Sequence, residues 1–143
     1  MPVDMGDRRK HLEFLRKTAK DAIWSGDYER ALTLYEDGLA LSRSWKDREL
    51  EDLFTCNRTM ALIEMDREDY DLSRLKEIIL RNPSGYNAVL ASYVSATAHE
   101  ARGEYARARF YAQSALTKGR ELGLEELSGT SLNLLANLEL HES

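Results

Sequence analysis

The sequence predicts an all-α fold in which helix pairs stack on one another, and three observations support this prediction. A tight turn followed by a tyrosine and an amphipathic segment occurs at Tyr28, Tyr70 and Tyr105, which lie 42 and 35 residues apart. Apolar residues recur every three or four positions, the period of one helical face. No stretch alternates apolar and polar residues with period two, and no Asn-Gly hairpin signal occurs. A unit that repeats at this spacing is typical of a helical array.

Turn signals divide the chain into seven predicted helices. Glycines at positions 26, 85, 103 and 123 mark turns, and Pro83 ends a helix because proline cannot continue the hydrogen-bond ladder. Residues 1–6 are expected to form a loose end. The predicted helices cover about 7–25, 28–43, 48–65, 70–81, 86–102, 105–122 and 124–141.

Composition places the chain among ordinary globular proteins. Its 143 residues fit a single domain over 1–143, with 43% hydrophobic and 31% charged residues. No apolar run approaches the roughly 20 residues that span a bilayer, and no apolar segment typical of a secretory signal follows the N-terminal basic residues. Cys56 is the only cysteine, so an internal disulfide is impossible and a reducing compartment is the default. We therefore expect a cytoplasmic protein that does not act on membranes.

Charge is unevenly distributed along the chain. The formal net charge is −5, which argues against nucleic acid as the main ligand. Residues 8–20 carry a net charge of +5 and residues 47–71 a net charge of −6. This asymmetry either steers a charged partner or reflects solvated helix faces whose opposite signs partly offset each other.

No pattern of catalytic or metal-binding residues is found. His11, His99 and His141 lie far apart, and no histidine or cysteine stands at metal-ligand spacing. There is no Gly-rich phosphate loop or nucleophile elbow, and a serine near one histidine does not make a triad. We expect neither an enzyme nor a bound cofactor or metal, and we interpret Cys56 as an inert core thiol.

The repeated units resemble tetratricopeptide repeats, in which two helices, A and B, cross at small residues. The middle unit departs most, since its turn is longer and Ser73 stands where alanine is expected. The resemblance covers about 10–141 and implies repeats at about 10–45, 48–83 and 86–122, a capping helix at about 124–141 and a right-handed superhelical solenoid. The matching residues are Gly26-Asp27-Tyr28 with Ala31, Gly103-Glu104-Tyr105 with Ala108, Ala19, Ala96, Tyr35 and Pro83.

The resemblance implies a concave groove, lined by the A helices, that holds an extended peptide or a partner helix. Asn57 and Arg58 resemble a pair that binds a peptide carboxylate in chaperone-binding members, but Leu90 and Val94 replace the cations of that clamp. Alternatively, the cations of the first helix are solvated and Asn57 bonds to the backbone. On this pattern the groove residues are Glu13, Arg16, Lys20, Trp24, Asn57, Leu90, Tyr93 and Thr97.

Two tryptophans, Trp24 and Trp45, stand at predicted helix ends. Exposed tryptophan at a groove rim anchors partners in many interfaces. The alternative is that each ring packs against the adjacent turn.

The last predicted helix carries two leucine stripes. One stripe comprises Leu124, Leu127, Leu134 and Leu138, and the second comprises Leu132, Leu135 and Leu140. A terminal helix in such an array has a polar outer face, so the second stripe suggests association with a second copy in a homodimer, with a partner protein or with a following segment. Alternatively, one stripe folds back on the preceding helices and the other is partly exposed.

The resemblance therefore implies a protein–protein interaction module, an adaptor or scaffold whose partner is another protein or a peptide. Two further functions are compatible with this pattern. One is a small chaperone for a secreted or aggregation-prone partner. The other is a regulatory module that senses a peptide. Fold does not by itself decide among them.

Overall fold

The structure is a computed structural model that describes residues 5–141. Within that range it contains seven α-helices and no strand, which confirms the all-α prediction. The helices are α1 (Met5–Trp24), α2 (Tyr28–Ser44), α3 (Arg48–Glu64), α4 (Leu72–Arg81), α5 (Tyr86–Ala101), α6 (Tyr105–Glu121) and α7 (Glu125–His141). None of these helices combines the length and the apolar character that crossing a bilayer requires. The predicted loose end is wrong for residues 5–6, which are helical, and residues 1–4 lie outside the described residues.

The chain forms two compact units, which divide between Glu68 and Asp69. In the first unit α1 packs on α2, and α2 packs on α3. In the second unit α4, α5, α6 and α7 pack in sequence, and α7 also contacts α5. The division falls inside the predicted middle repeat, 48–83, because α3 packs on α2 and α4 packs on α5. Each unit is thus a run of adjacent packed helices, as in a repeat-like fold.

Helices α1, α2, α3, α5 and α6 end in the same way. A residue with positive φ follows each of them, so that two backbone N–H groups turn back to the last helical carbonyls. At the end of α1, Gly26 (φ 81°) donates to the Ile23 carbonyl, and Asp27 donates to the Ala22 carbonyl. Glycine accepts this conformation readily. Lys46 (φ 56°) and Asp66 (φ 58°) adopt it without glycine.

Aspartates begin the next helices. The carboxylates of Asp27, Asp47 and Asp71 accept hydrogen bonds from backbone N–H groups in the first turns of α2, α3 and α4. The backbone and hydroxyl of Ser73 both donate to Asp71, which lowers the pKa of that carboxyl. This cap starts α4 at Leu72, so the predicted start at residue 70 is wrong by two residues.

Small residues allow the helices of the first unit to pack closely. Ala19 and Ala31, which the resemblance placed at helix crossings, are fully buried. Gly38 allows α2 to approach α3 so closely that the ring of Phe54 occupies the space a Cβ would need. The core comprises Ala19, Ala22, Ala31, Tyr35, Leu39, Phe54 and Ala61.

Cys56 on α3 is buried, in agreement with its interpretation as a core thiol. Burial, with a smaller contribution from the negative charge of Asp52, raises the pKa of this thiol to about 12. The thiol therefore stays protonated at neutral pH, and protonated thiols are poor nucleophiles.

The second unit is built around α5. Ala96, Ala108 and Ala112 are fully buried and pack with Leu134 and Leu138 of α7. Leu135 also packs against this core, whereas Leu132 is 49% exposed and Leu140 is 76% exposed. The three leucines predicted as one association stripe are therefore split between the core and the surface. The core comprises Ala96, Ala108, Ala112, Leu134 and Leu138.

The close approach at Gly38 predicts an opposite response to alanine at two helical glycines. A Cβ at position 38 would lie 2.5 Å from a ring carbon of Phe54, which is fully buried and cannot move aside. Gly38→Ala should lower the free energy of unfolding by about 1–3 kcal/mol. Gly129 in α7 meets nothing within 4 Å, so Gly129→Ala should raise it by about 0.5–1 kcal/mol. Urea unfolding followed by circular dichroism measures both, and a stabilising Gly38→Ala would contradict the packing.

The turn between α5 and α6 predicts a pH-dependent contribution to stability. His99 and Arg107 contact the two carboxylate oxygens of Glu104, and the hydrogen bond with His99 is the main cause that lowers the pKa of Glu104. A lowered folded-state pKa stabilises the fold above the ordinary value of about 4.3, and that contribution is lost as the pH falls through the folded-state pKa. Glu104→Gln should therefore reduce stability at neutral pH, and its effect should vanish in acid.

Thermal unfolding of the parent and the variant across this pH range measures the difference between them. Glu139→Gln, an exposed change on α7, is the matched control and should show no such convergence. A Glu104→Gln effect that is equal at acid and neutral pH would contradict the role of the carboxylate charge.

Candidate functional site

The first unit contains an open groove between α1 and the start of α3. Its volume is about 530 Å³. Apolar side chains from α1, α3 and the intervening Trp45 provide part of its surface, and three arginines of α1 provide most of its charge. The lining residues are Arg8, Arg9, Leu12, Glu13, Arg16, Trp45, Asp47, Leu50 and Leu53. We name this feature the α1–α3 groove.

One wall of the groove is built from Arg8 and Trp45. The guanidinium carbon of Arg8 lies 4.8 Å from the centre of the Trp45 ring, a cation–π contact. The turn that ends α2 fixes the position of Trp45, whose backbone N–H donates to the Leu41 carbonyl at 2.9 Å. The Nε of Arg8 is enclosed and has no hydrogen-bond partner among the described residues. The wall therefore holds one enclosed arginine donor that has no partner within residues 5–141.

The two carboxylates that line the groove do not cancel its positive character. Asp47 caps α3 by accepting a hydrogen bond from the Leu50 N–H at 3.1 Å, which orients its carboxylate toward the backbone. Glu13 is exposed on α1. Burial raises the pKa of the nearby Tyr35 phenol, and the positive charge of Arg16 opposes that shift in part. Arg16 thus acts on both the groove and the core of this unit.

The structure brings two of the predicted groove residues, Glu13 and Arg16, into this groove. Lys20 is exposed on α1, one turn beyond Arg16, and Asn57 is half-buried on α3, one turn beyond Leu53. These two side chains do not line the groove.

The two tryptophans have different environments. Trp24 is 82% exposed at the end of α1. The alternative in which its ring packs against the adjacent turn is therefore wrong for this residue. Trp45 is half-buried and carries Arg8 on its ring.

The remaining predicted groove residues lie on α5 in the second unit. Leu90, Tyr93 and Thr97 are each half-buried. Tyr93 packs against the core formed with α6 and α7, and the Thr97 hydroxyl donates to the Tyr93 carbonyl at 3.0 Å. The eight predicted residues are therefore divided between the two compact units.

The sequence-based prediction missed six groove residues, which are Arg8, Arg9, Leu12, Asp47, Leu50 and Leu53. Arg9 precedes Glu13 by four positions, and Leu53 precedes Asn57 by four positions, so each continues a predicted face by one helical turn. Extending the helical period toward the starts of α1 and α3 would have found Arg9 and Leu53. The contact of Arg8 with Trp45 has no such signal because it crosses from α1 to the end of α2.

The groove has the chemistry of a binding surface for a short segment that carries an apolar side chain beside a carboxylate. Leucine and tryptophan side chains supply apolar area, and guanidinium groups bind carboxylates through paired hydrogen bonds. Within residues 5–141, no group of three or more histidine, cysteine, aspartate or glutamate side chains is placed to hold a metal ion.

Comparisons with known proteins do not assign this groove. No family model matches the chain, and no curated protein and no solved structure matches it. The resemblance to tetratricopeptide repeats therefore remains a prediction from the residues.

The contact between Arg8 and Trp45 predicts a measurable change in the environment of the tryptophan. Arg8→Ala should lower the free energy of unfolding by about 0.5–1 kcal/mol because the cation–π contact is lost. In a Trp24→Phe background, which leaves Trp45 as the only tryptophan, acrylamide should quench the remaining fluorescence more strongly after Arg8→Ala.

Lys17→Ala is the control, since Lys17 is an exposed cation of α1 that does not line the groove. Equal quenching in the Arg8→Ala and Lys17→Ala variants would show that Arg8 does not cover the ring.

Proposed function

We propose that this chain is a protein–protein interaction module, an adaptor or scaffold, that binds an extended peptide or a partner helix in the α1–α3 groove. The observation that carries the proposal is an apolar surface beside three arginines. Arg9 and Arg16 are exposed, and guanidinium groups bind carboxylates through paired hydrogen bonds. The preferred partner is a segment that places an acidic residue beside an apolar one.

The repeat-like architecture supports an interaction module. Five helices end with the same backbone motif, and buried alanines stand at the helix crossings, as the resemblance to tetratricopeptide repeats implies. The proposal includes the right-handed superhelical arrangement of that family and a cytoplasmic location, which suits a free buried thiol at Cys56.

The size of the groove limits the affinity. A volume of about 530 Å³ accommodates a few side chains rather than a long helix. Partner binding must also overcome the loss of motional freedom on association. We therefore expect a dissociation constant of roughly 1–100 μM for a short peptide.

Selection from a random peptide library displayed on phage tests the proposal. The parent protein is the bait, and a folded Arg9→Glu/Arg16→Glu variant removes peptides that bind elsewhere. Enriched peptides should carry aspartate or glutamate beside leucine, isoleucine or an aromatic residue. Fluorescence anisotropy then gives their dissociation constants.

Matched single variants locate the contact. Arg16→Ala should raise the dissociation constant of a selected peptide by about fivefold or more, because it removes a charged hydrogen bond between protein and peptide. Lys17→Ala, which removes the same charge from the same helix outside the groove, should change the affinity by less than about twofold. Equal effects of Arg16→Ala and Lys17→Ala on the affinity of a selected peptide, or a selection that leaves no peptide after the double variant is used, would overturn the assignment of the groove.

A further inference from the structure

A second cavity lies wholly within the second unit. Its volume is about 540 Å³, and side chains of α4, α5 and α6 surround it. It is separate from the α1–α3 groove, which belongs to the first unit. The lining residues are Leu72, Ser73, Lys76, Ser95, His99, Ala106, Arg107, Phe110 and Tyr111. We name this feature the α4–α6 cavity.

Aromatic rings form one side of the α4–α6 cavity. Phe110 is 68% exposed and meets Tyr111 edge to face, with ring centres 5.3 Å apart. Tyr111 in turn stacks on His99, with ring centres 5.5 Å apart and ring planes 8° apart. Three rings thus support one another. The exposed face of Phe110 offers a flat apolar surface, and Leu72 and Ala106 add apolar atoms to the lining.

His99 is held in one orientation. It is 7% exposed, and its Nδ1 lies 3.0 Å from Oε1 of Glu104. The hydrogen bond with His99 lowers the pKa of Glu104, so this carboxylate is ionised at neutral pH and accepts a hydrogen bond from Nδ1–H. Arg107 contacts the other oxygen of Glu104 at 3.4 Å. The negative charge of Glu104 is therefore matched, and Glu104 does not line the cavity.

Positive charge remains in the cavity lining. Lys76 lies on α4 and Arg107 on α6, and both line the cavity. In the part of the chain that the structure describes, no carboxylate forms an ion pair with Lys76. Asp71, the nearest acidic cap of α4, is held by the backbone and hydroxyl of Ser73. The cavity therefore combines an aromatic wall with an ammonium group that forms no ion pair with a carboxylate of residues 5–141.

We propose that the α4–α6 cavity is a binding site for a small aromatic anion, whose ring packs on Phe110 and whose carboxylate or phosphate contacts Lys76 and Arg107. The volume lies within the range of about 300–1,000 Å³ that is typical of small-molecule sites. Ring packing on an exposed aromatic face and attraction by Lys76 are separate contributions, so both parts of the ligand are needed. Arg107, which is already paired with Glu104, adds N–H donors rather than a second unpaired charge. The proposal does not depend on peptide binding in the first unit.

Nuclear magnetic resonance with the ¹⁵N-labelled full chain tests the site. The probes are 1-naphthyl phosphate and 1-naphthoate as aromatic anions, 1-naphthol as the neutral ring, and inorganic phosphate as the anion without a ring. We expect amide shifts confined to residues around the cavity on α4, α5 and α6. At least one aromatic anion should bind about fivefold or more tightly than 1-naphthol or phosphate, and the comparison of the two anions identifies the preferred head group.

Three variants separate the two contributions. Phe110→Ala should weaken the binding of the aromatic anion by about threefold or more. Lys76→Gln should weaken the binding of the aromatic anion by about threefold, and it should leave the weak binding of 1-naphthol unchanged. Arg120→Gln is the control, because Arg120 is an exposed cation of α6 that does not line the cavity, and it should leave the affinity unchanged. Both Lys76 and Arg120 are exposed, so these changes preserve the fold.

Three results would overturn the proposal. Shifts that map to the α1–α3 groove or scatter over the surface would show that the cavity is not the site. Equal affinity for 1-naphthol and the anions would show that the negative charge of the ligand does not contribute to binding. An equal effect of Lys76→Gln and Arg120→Gln would show general attraction by a basic surface rather than a site.

Discussion

The structure depends on how its helices end. Five of the seven helices within residues 5–141 are followed by a residue with positive φ, and its N–H and the next N–H turn back to the last carbonyls. This motif satisfies carbonyl groups that the helix itself leaves unpaired. After α1, α2, α5 and α6 the connection is three residues long, and the following helix packs beside the one that has ended. Adjacent helices therefore pack on one another in both units, and the repeat in the sequence reflects this repeated turn.

Small residues where the helices cross allow the helices joined by these turns to pack closely. Alanines 19 and 31 in the first unit and 96 and 108 in the second are fully buried, so the helices approach closely. At Gly38 the approach is closer still, since Phe54 fills the space beside the backbone. Ser42 occupies the same crossing and bonds its hydroxyl to the Gly38 carbonyl at 2.6 Å. Arg8, Trp45 and Phe110 lie outside the two cores and line the groove and the cavity.

The two candidate sites use the same physical combination. In the α1–α3 groove, Arg8 lies over Trp45 beside leucines. In the α4–α6 cavity, Lys76 and Arg107 lie beside the ring of Phe110. Each places a cation next to an apolar surface, so each favours a ligand that carries both an apolar group and a negative charge. The overall net charge of −5 does not reveal these local cations.

The sequence by itself determined the seven helices, most of their boundaries and the alanines at the crossings, because helical period, caps and glycine turns are local properties. The resemblance to tetratricopeptide repeats implied Glu13 and Arg16 as groove residues, and both line the α1–α3 groove. Only the tertiary structure showed that Lys46 and Asp66 adopt positive φ, that Leu135 is packed while Leu132 is exposed, and that Arg8 meets Trp45. These features depend on which helix lies against which face. A periodic pattern identifies a face, but the neighbouring helix decides whether that face becomes core, groove or surface.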